Sequence, residues 1–532
     1  MHTHRVTVGF IVMVVMACCL VLGDFASPAA AKTIVVTTLT DTADPPFNAD
    51  GACGTGTVSD LPGADGLISL REAIIAANNT PGAHTITFDP SLSGGTIMVG
   101  FNGLPLPALC GGQTSINGDL NGDDVPDITL EGAAFPIPAP PAVPAVSAAA
   151  GISVISSHNT INGLRVQHFP FGIRVLAGDF TAPGTVTHTT VTHNILADST
   201  LDGIIVRTGN APGSLLTHTT ITQNLVLRNG LSKRRFGINV GANLSGAGSD
   251  TQIAHTTIAD NEVRENGNTG ILLLPLGDNN LITDLTIARN TASGNAAQGI
   301  NVNGGFGGAD GNTVEVRIRN NTVTDNGLVE GTPNIRVTAG EDNSSNNRVV
   351  AQIQGNTVER SQFAGILIEG GLGAVFFPTA TSANNVVDVR IEQNTVKNQV
   401  GVGISVASGI GSIDGRAGAV ADNNQVRAIV RQNVVEDSTV RGVRLAAGGP
   451  GLASANTLDV QVEQNTVCHN AGTDIFGEGG FSGSVQLPVP NQGTGNVLEG
   501  EIFQNTATTV TVADGTPGNT ADVTQFKNNP CS

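Results

Sequence analysis

Tryptophan and tyrosine are missing from the 532 residues, and aromatic side chains amount to 3%, all of them phenylalanine. That absence argues against a β-propeller, whose blades usually carry aromatic signatures. It also removes the flat, polar-tipped platforms on which sugar rings stack, leaving Phe169, Phe171 and Phe236 as the candidates for such a role. Charge is scarce at 13% and one-sided, with a net charge of −19. Loss of an export signal would remove Arg5 and Asp24 together and leave that balance unchanged. So acidic a chain lacks the basic stripe that a phosphate backbone requires, and no nucleic-acid partner is expected. Helical periodicity is missing from most of the chain, and no apolar run after residue 31 is long enough to span a bilayer. The cysteines outside the signal are too far apart in sequence for metal-ligand spacing. The chain is still too apolar and too periodic for disorder.

What is present is a repeat. Gly311 to Val337, GNTVEVRIRNNTVTDNGLVEGTPNIRV, holds three short strand-like runs separated by turn residues, and the unit recurs along most of the chain. One column is an asparagine three residues after an inward aliphatic: Asn194, Asn224, Asn261, Asn290, Asn321, Asn356, Asn394, Asn433, Asn465 and Asn505, spaced 29 to 40 residues apart. A second column holds Gly172, Gly203, Gly237, Gly270, Gly299, Gly365, Gly403 and Gly442, with Asn334 in the same place, read as corners with positive φ. Short period-2 runs that cannot bury a face alone must stack on copies of themselves. The expected fold is all-β, a right-handed parallel β-helix of roughly ten coils rising about 4.8 Å each. The asparagines would form a ladder, each bonding the turn and the asparagine of the next coil.

In chain order, residues 1–31 read as an export signal: Arg5, an apolar run from Val6 to Leu22, and Ala29-Ala30-Ala31 as the cleavage site. A lipoprotein site at Cys18 is the alternative. Residues 32–132 form a cap with the first coils, 133–150 an Ala/Pro-rich linker or loop, 151–508 the β-helix repeats, and 509–532 a last coil or cap. Cys53, Cys110, Cys468 and Cys531 allow three pairings in an exported chain; proximity favours Cys53 with Cys110 and Cys468 with Cys531, stapling each end.

Ser69-Leu70-Arg71-Glu72-Ala73-Ile74, then Ala76-Ala77-Asn78 and the strand Thr85 to Phe88, resembles the CSLREA domain, an amino-terminal element of secreted bacterial proteins. The resemblance implies that right-handed parallel β-helix repeats follow. The family's cysteine is Ile68 here, which leaves Cys53 without its usual near partner. The residues themselves predict a short helix with Ser69 as cap, Glu72 completing a capping box, and Leu70, Ile74 and Ala77 on one face. Such a helix would close the open first coil, so Arg71 and Glu72 read as structural.

Asp119, Asn121, Asp123 and Asp127 place oxygen side chains at positions 1, 3, 5 and 9 of a loop, the spacing that wraps calcium, though Leu130 stands where a bidentate acid would complete the set. No organic cofactor is expected. On the outward strand positions, Asp284, Glu315, Arg317, Asp388 and Arg390 are the candidate catalytic residues: carboxylates on neighbouring rungs about 5 Å apart would suit retaining sugar hydrolysis. Arginines beside acids would suit a calcium-dependent lyase instead. His188, His218 and His255 fall on a straight column, which does not converge as a zinc site must. The leading expectation is a secreted or cell-surface, adhesin-like rod, monomeric and facing extracellular polysaccharide or a cell surface. A calcium-dependent polysaccharide lyase is the alternative.

Overall fold

The computed structural model describes residues 31–49, 53–133, 135, 149–231, 235–327, 331–374, 379–412, 419–449, 451–480 and 492–531. The expected export signal, Ala31 apart, and most of the expected linker at 133–150 lie outside the described residues. Among the described residues the strands build three long sheets of 18, 13 and 12 strands, and every strand-to-strand pairing is parallel. Each coil visits the first sheet, then the second, then the third: Thr313–Arg319, Thr322–Thr324 and Ile335–Thr338 are one such turn. This is a parallel β-helix.

The period-2 pattern sets the register. Val316 and Ile318 point inward and are at most 3% exposed, while Glu315, Arg317 and Arg319 point out. Ile287, Ile318, Ile353, Ile391 and Val430 stack rung on rung along the axis and are fully buried. Burying such a side chain stabilises the fold by about 1.5–3 kcal/mol. The second sheet has thirteen rungs rather than the roughly ten coils expected. The cap supplies second-sheet rungs of its own at Thr96–Met98 and Ile128–Glu131, and the tail adds Thr506–Ala507 to the second sheet, Val510–Gly515 to the third and Thr520–Phe526 to the first.

The asparagine ladder stands at the corner between the first and second sheets. Asn321 Nδ2 donates to Ile287 O of the preceding coil (2.9 Å) and to Asn356 Oδ1 of the next (3.0 Å), and every asparagine of that column repeats the pattern. The residue just before it carries the positive φ, as in Gln393 (φ 57°), Gln432 (φ 55°) and Gln464 (φ 56°). Two further ladders went unread. One runs Asn229, Asn266, Asn295, Asn326, Asn334 between the second and third sheets. Another runs from Asn243 through Asn280, Asn312, Asn347, Asn385, Asn424, Asn456 and Asn496 to Asn519 between the third sheet and the first.

The glycine column needs a correction. None of its glycines has a positive φ. They are glycine for lack of room: a Cβ on Gly172 would stand 2.4 Å from Gly203 O, and one on Gly299 2.4 Å from Val323 Cγ1.

Helix α1, Leu70–Asn78, begins at the expected capping box, with Ser69 accepting from the Glu72 amide and Glu72 from that of Ser69. It is not amphipathic in place, since every residue from Leu70 to Ala77 is buried. Burial therefore takes in two charged side chains. The fully buried Arg71 makes two bonds of 2.8 Å to Asp41, and it also donates to Pro105 O and Leu104 O. Glu72 is pushed up to about 7, chiefly by burial and then by the Asp44 carboxyl beside it. An acid with a raised folded pKa adds stability in full below its unfolded value of 4.5 and loses it as pH rises through about 7. Asp44 is held below its usual range, so its own contribution is lost only in stronger acid. The melting temperature is thus expected to fall as pH rises from 4.5 through about 7. That slope should flatten in Glu72→Gln, checked by thermal denaturation across the window.

Both disulfides form as proximity favoured: Cys53 with Cys110 (Cα–Cα 6.0 Å) and Cys468 with Cys531 (5.9 Å). No helix among the described residues is long and apolar enough to cross a membrane.

Candidate functional site

The outward columns of the first sheet are aligned as the sequence pattern requires. Glu315, Val350, Asp388, Arg427 and Asp459 follow one another on successive rungs, with Arg317, Gln352, Arg390, Ile429 and Gln461 beside them. In the coils before them the sheet is kinked at His188, His218 and His255, each with φ between 51° and 56°, and the strand splits in two. From Thr313 onward the kink is gone and seven-residue strands run straight. Where the straight strands begin, a shallow groove of about 870 Å³ opens, and all five candidate residues, Asp284, Glu315, Arg317, Asp388 and Arg390, line it.

Their arrangement departs from the expected carboxylate pair. Asp284 (φ 50°) sits in a register shift between Ile282 and Leu285 and is not set opposite Glu315. Its carboxylate is held between Arg317 and His255 Nδ1, the latter at 2.8 Å. First the Arg317 bond and then the His255 bond hold its carboxyl below the usual range. Asp388 is likewise clasped by Arg348 and Arg427, with Arg427 at 3.3 Å. Glu392 takes Arg431 at 3.0 Å. An acid held low, as Asp284 is, makes a poor proton donor, since general acid catalysis wants a pKa near the working pH. Arg390 differs: exposed at the middle of the groove, it pairs with no carboxylate among the described residues. Its donor fork is open to a carboxylate or to vicinal hydroxyls.

The histidines form a stack, with ring centroids 4.8 Å between His158 and His188, 4.6 Å between His188 and His218, and 4.7 Å between His218 and His255. His188 is lowered by partial desolvation and by the like charge its neighbours would carry. The rings lie along a line, as the column spacing implied.

The loop with Asp119, Asn121, Asp123 and Asp127 is closed by its own hydrogen bonds. Asp119 accepts from the amides of Gly122 (2.8 Å) and Asp124 (3.1 Å), Asn121 from Asp123 (2.9 Å), and Asp123 from Val125 (3.0 Å). Asp127 accepts from Leu120 (2.8 Å) and from the Ser93 hydroxyl (2.6 Å), and the Ser93 bond comes first in holding its carboxyl low. Among the described residues no three His, Cys, Asp or Glu side chains converge as a metal set. Each carboxylate oxygen has a second lone pair left over, so the donor set retains capacity for a hard cation.

Of the phenylalanines considered as sugar platforms, Phe169 and Phe171 are core residues, 0% and 3% exposed. Phe236 alone is partly open. Also unread in the sequence was the third sheet's outer face, where charged side chains are buried: Arg207 donates to Asn239 Oδ1, and Arg336 is held by Glu341 and Glu369.

No family model matches the chain, and no curated protein matches it. Solved structures with a similar course include the A-module of a mannuronan C-5 epimerase of Azotobacter vinelandii, 13% identical, covering 85% of this chain and 91% of that one with a TM-score of 0.44. The Dettilon tailspike protein is 13% identical over 70% of this chain and 61% of its own, with a TM-score of 0.39. A surface adhesin of Streptococcus pneumoniae is 12% identical over 76% and 87%, with a TM-score of 0.30.

Proposed function

We propose that this chain is an exported, surface-presented β-helix with an adhesin-like role, holding extracellular polysaccharide along the groove of its first sheet. One observation carries the reading. Asp284 is held by Arg317 and His255 and Asp388 by Arg348 and Arg427, while Arg390 beside them stays open to a ligand. Such a surface is suited to recognise and hold a ligand. The two disulfides support a place outside the reducing cytoplasm. The Ser69-to-Asn78 motif, closing the first coil, supports a CSLREA-type cap. Calcium is proposed for Asp119, Asn121, Asp123 and Asp127, where it would tie the cap loop and lend no chemistry to the groove.

The test uses residues 32–532 with pectate and alginate, each with calcium and then with chelator. Binding is expected without release of unsaturated uronate, and Arg390→Ala should weaken it about tenfold, the effect of losing one charge-assisted contact. Calcium should raise the melting temperature, and Asp119→Ala should abolish that rise. Calcium-dependent growth of unsaturated-uronate absorbance would replace the adhesin reading with the lyase. A melting temperature indifferent to calcium would remove the metal from the cap.

A further inference from the structure

The third sheet faces away from the groove and holds a second recess. Loops at both its edges rise above the strands and leave a trough of about 650 Å³, within the ~300–1,000 Å³ usual for small-molecule sites. Leu272, Asn301, Arg336 and Leu367 form its floor on four successive rungs. Phe236, Phe306 and Phe363 stand along its walls, each partly exposed. Beneath them lies a buried ionic network. Arg336 Nε meets Glu369 Oε2 at 2.7 Å and its Nη1 meets Glu341 Oε2 at 2.9 Å. Asn303 Nδ2 and Thr338 Oγ1 donate to those same two carboxylate oxygens.

The network is incomplete among residues that line the recess. Among the described residues, Arg336 Nη2, Glu369 Oε1 and Asn301 Oδ1 have no hydrogen-bond partner, although these residues are only 7%, 1% and 8% exposed. A buried polar atom left unpaired is costly, so three around one recess mark places where a ligand would recover lost bonds. One is a donor and two are acceptors. The charges restrict the ligand further: two carboxyl groups, Glu341 raised by burial, already share the single guanidinium, which leaves no surplus positive charge to attract an anion. Aromatic and aliphatic walls call for an apolar flank on the same molecule.

We propose that this trough binds a neutral oligosaccharide. Sugar hydroxyls both donate and accept, so a short saccharide running across the rungs can offer partners to Glu369 Oε1, Asn301 Oδ1 and Arg336 Nη2, with its C–H faces against the phenylalanines. The site is independent of Arg390 and of the first-sheet groove.

Calorimetric titration of the mature chain with short gluco-, manno-, xylo- and galacto-oligosaccharides, beside oligouronates of equal length, tests this. At least one neutral series is expected to bind saturably and more tightly than any oligouronate. Asn301→Ala, which breaks no bond of its Oδ1, and Phe363→Ala should each weaken that binding about tenfold or more with the melting temperature retained. Arg390→Ala should leave it unchanged. The proposal falls if no neutral series binds, if oligouronates bind better, or if Asn301→Ala has no effect.

Discussion

Asn321→Ala is expected to destabilise the rod by about 3–5 kcal/mol, because several buried hydrogen bonds are lost together. Asn321 Oδ1 accepts from the Asn290 backbone amide (2.9 Å) and from Asn290 Nδ2 (3.0 Å), while its own Nδ2 serves Ile287 O and Asn356 Oδ1. Alanine leaves the Asn290 amide buried and unpaired and opens a gap beside it. The neighbouring Thr322, exposed on the second sheet, supplies the control: Thr322→Ala should change stability by less than about 0.5 kcal/mol. Because each coil touches only its neighbours, the loss should be local. Hydrogen exchange should therefore show protection falling in the coils on either side of residue 321 before the ends of the rod are affected. Equal protection in both variants would mean the ladder decorates the corner without holding it.

The second large effect is expected at the cap. Asp41 is the only carboxylate bonded to the buried Arg71 among the described residues, and it also accepts from the amides of Gly100 and Phe101. Asp41→Ala strands a guanidinium out of water, a change that costs about 3–5 kcal/mol in comparable buried pairs. Replacing both partners, as in Asp41→Leu with Arg71→Met, removes the charge as well as the bond and should recover much of the loss. Thermal denaturation of the single and double variants separates the two. A single variant as stable as the parent would mean that water or a shifted side chain reaches Arg71. Its failure should also appear as aggregation, since the apolar side chains that α1 buries would be released.

Much of this architecture was legible because it is periodic. Alternation in TVEVRIR and the asparagine after each inward aliphatic depend on local geometry alone, so the text of the chain carries them. The ladder through Asn312, Asn347, Asn385 and Asn424 was equally legible in principle: an asparagine opens each first-sheet strand, in NTVEV, NRVVA, NVVDV and NQVRA. It was missed because loops of variable length precede it, and only the strand that follows gives a fixed anchor. Asp284 was misplaced opposite Glu315 because a register shift leaves no mark in a two-residue period. The trough was beyond reach. Arg336 in NIRV and Glu369 in AGILIE sit at outward positions, which a strand pattern assigns to solvent, and the loops of several successive coils close over them. In the groove, the columns were readable while the choice of ionic partner was not, since Asp388 could have met either Arg390 on its own strand or the arginines of adjoining rungs.

The three ladders have a consequence for how such a chain can change over time. Each corner asparagine presents an amide to one neighbour and a carbonyl to the other, so any two coils meet through the same complementary faces. A whole turn can therefore be inserted or excised between rungs, and the new junction finds its partners already in place. Length becomes a freely adjustable property, while the ends, with their stapled cap and tail, stay the same.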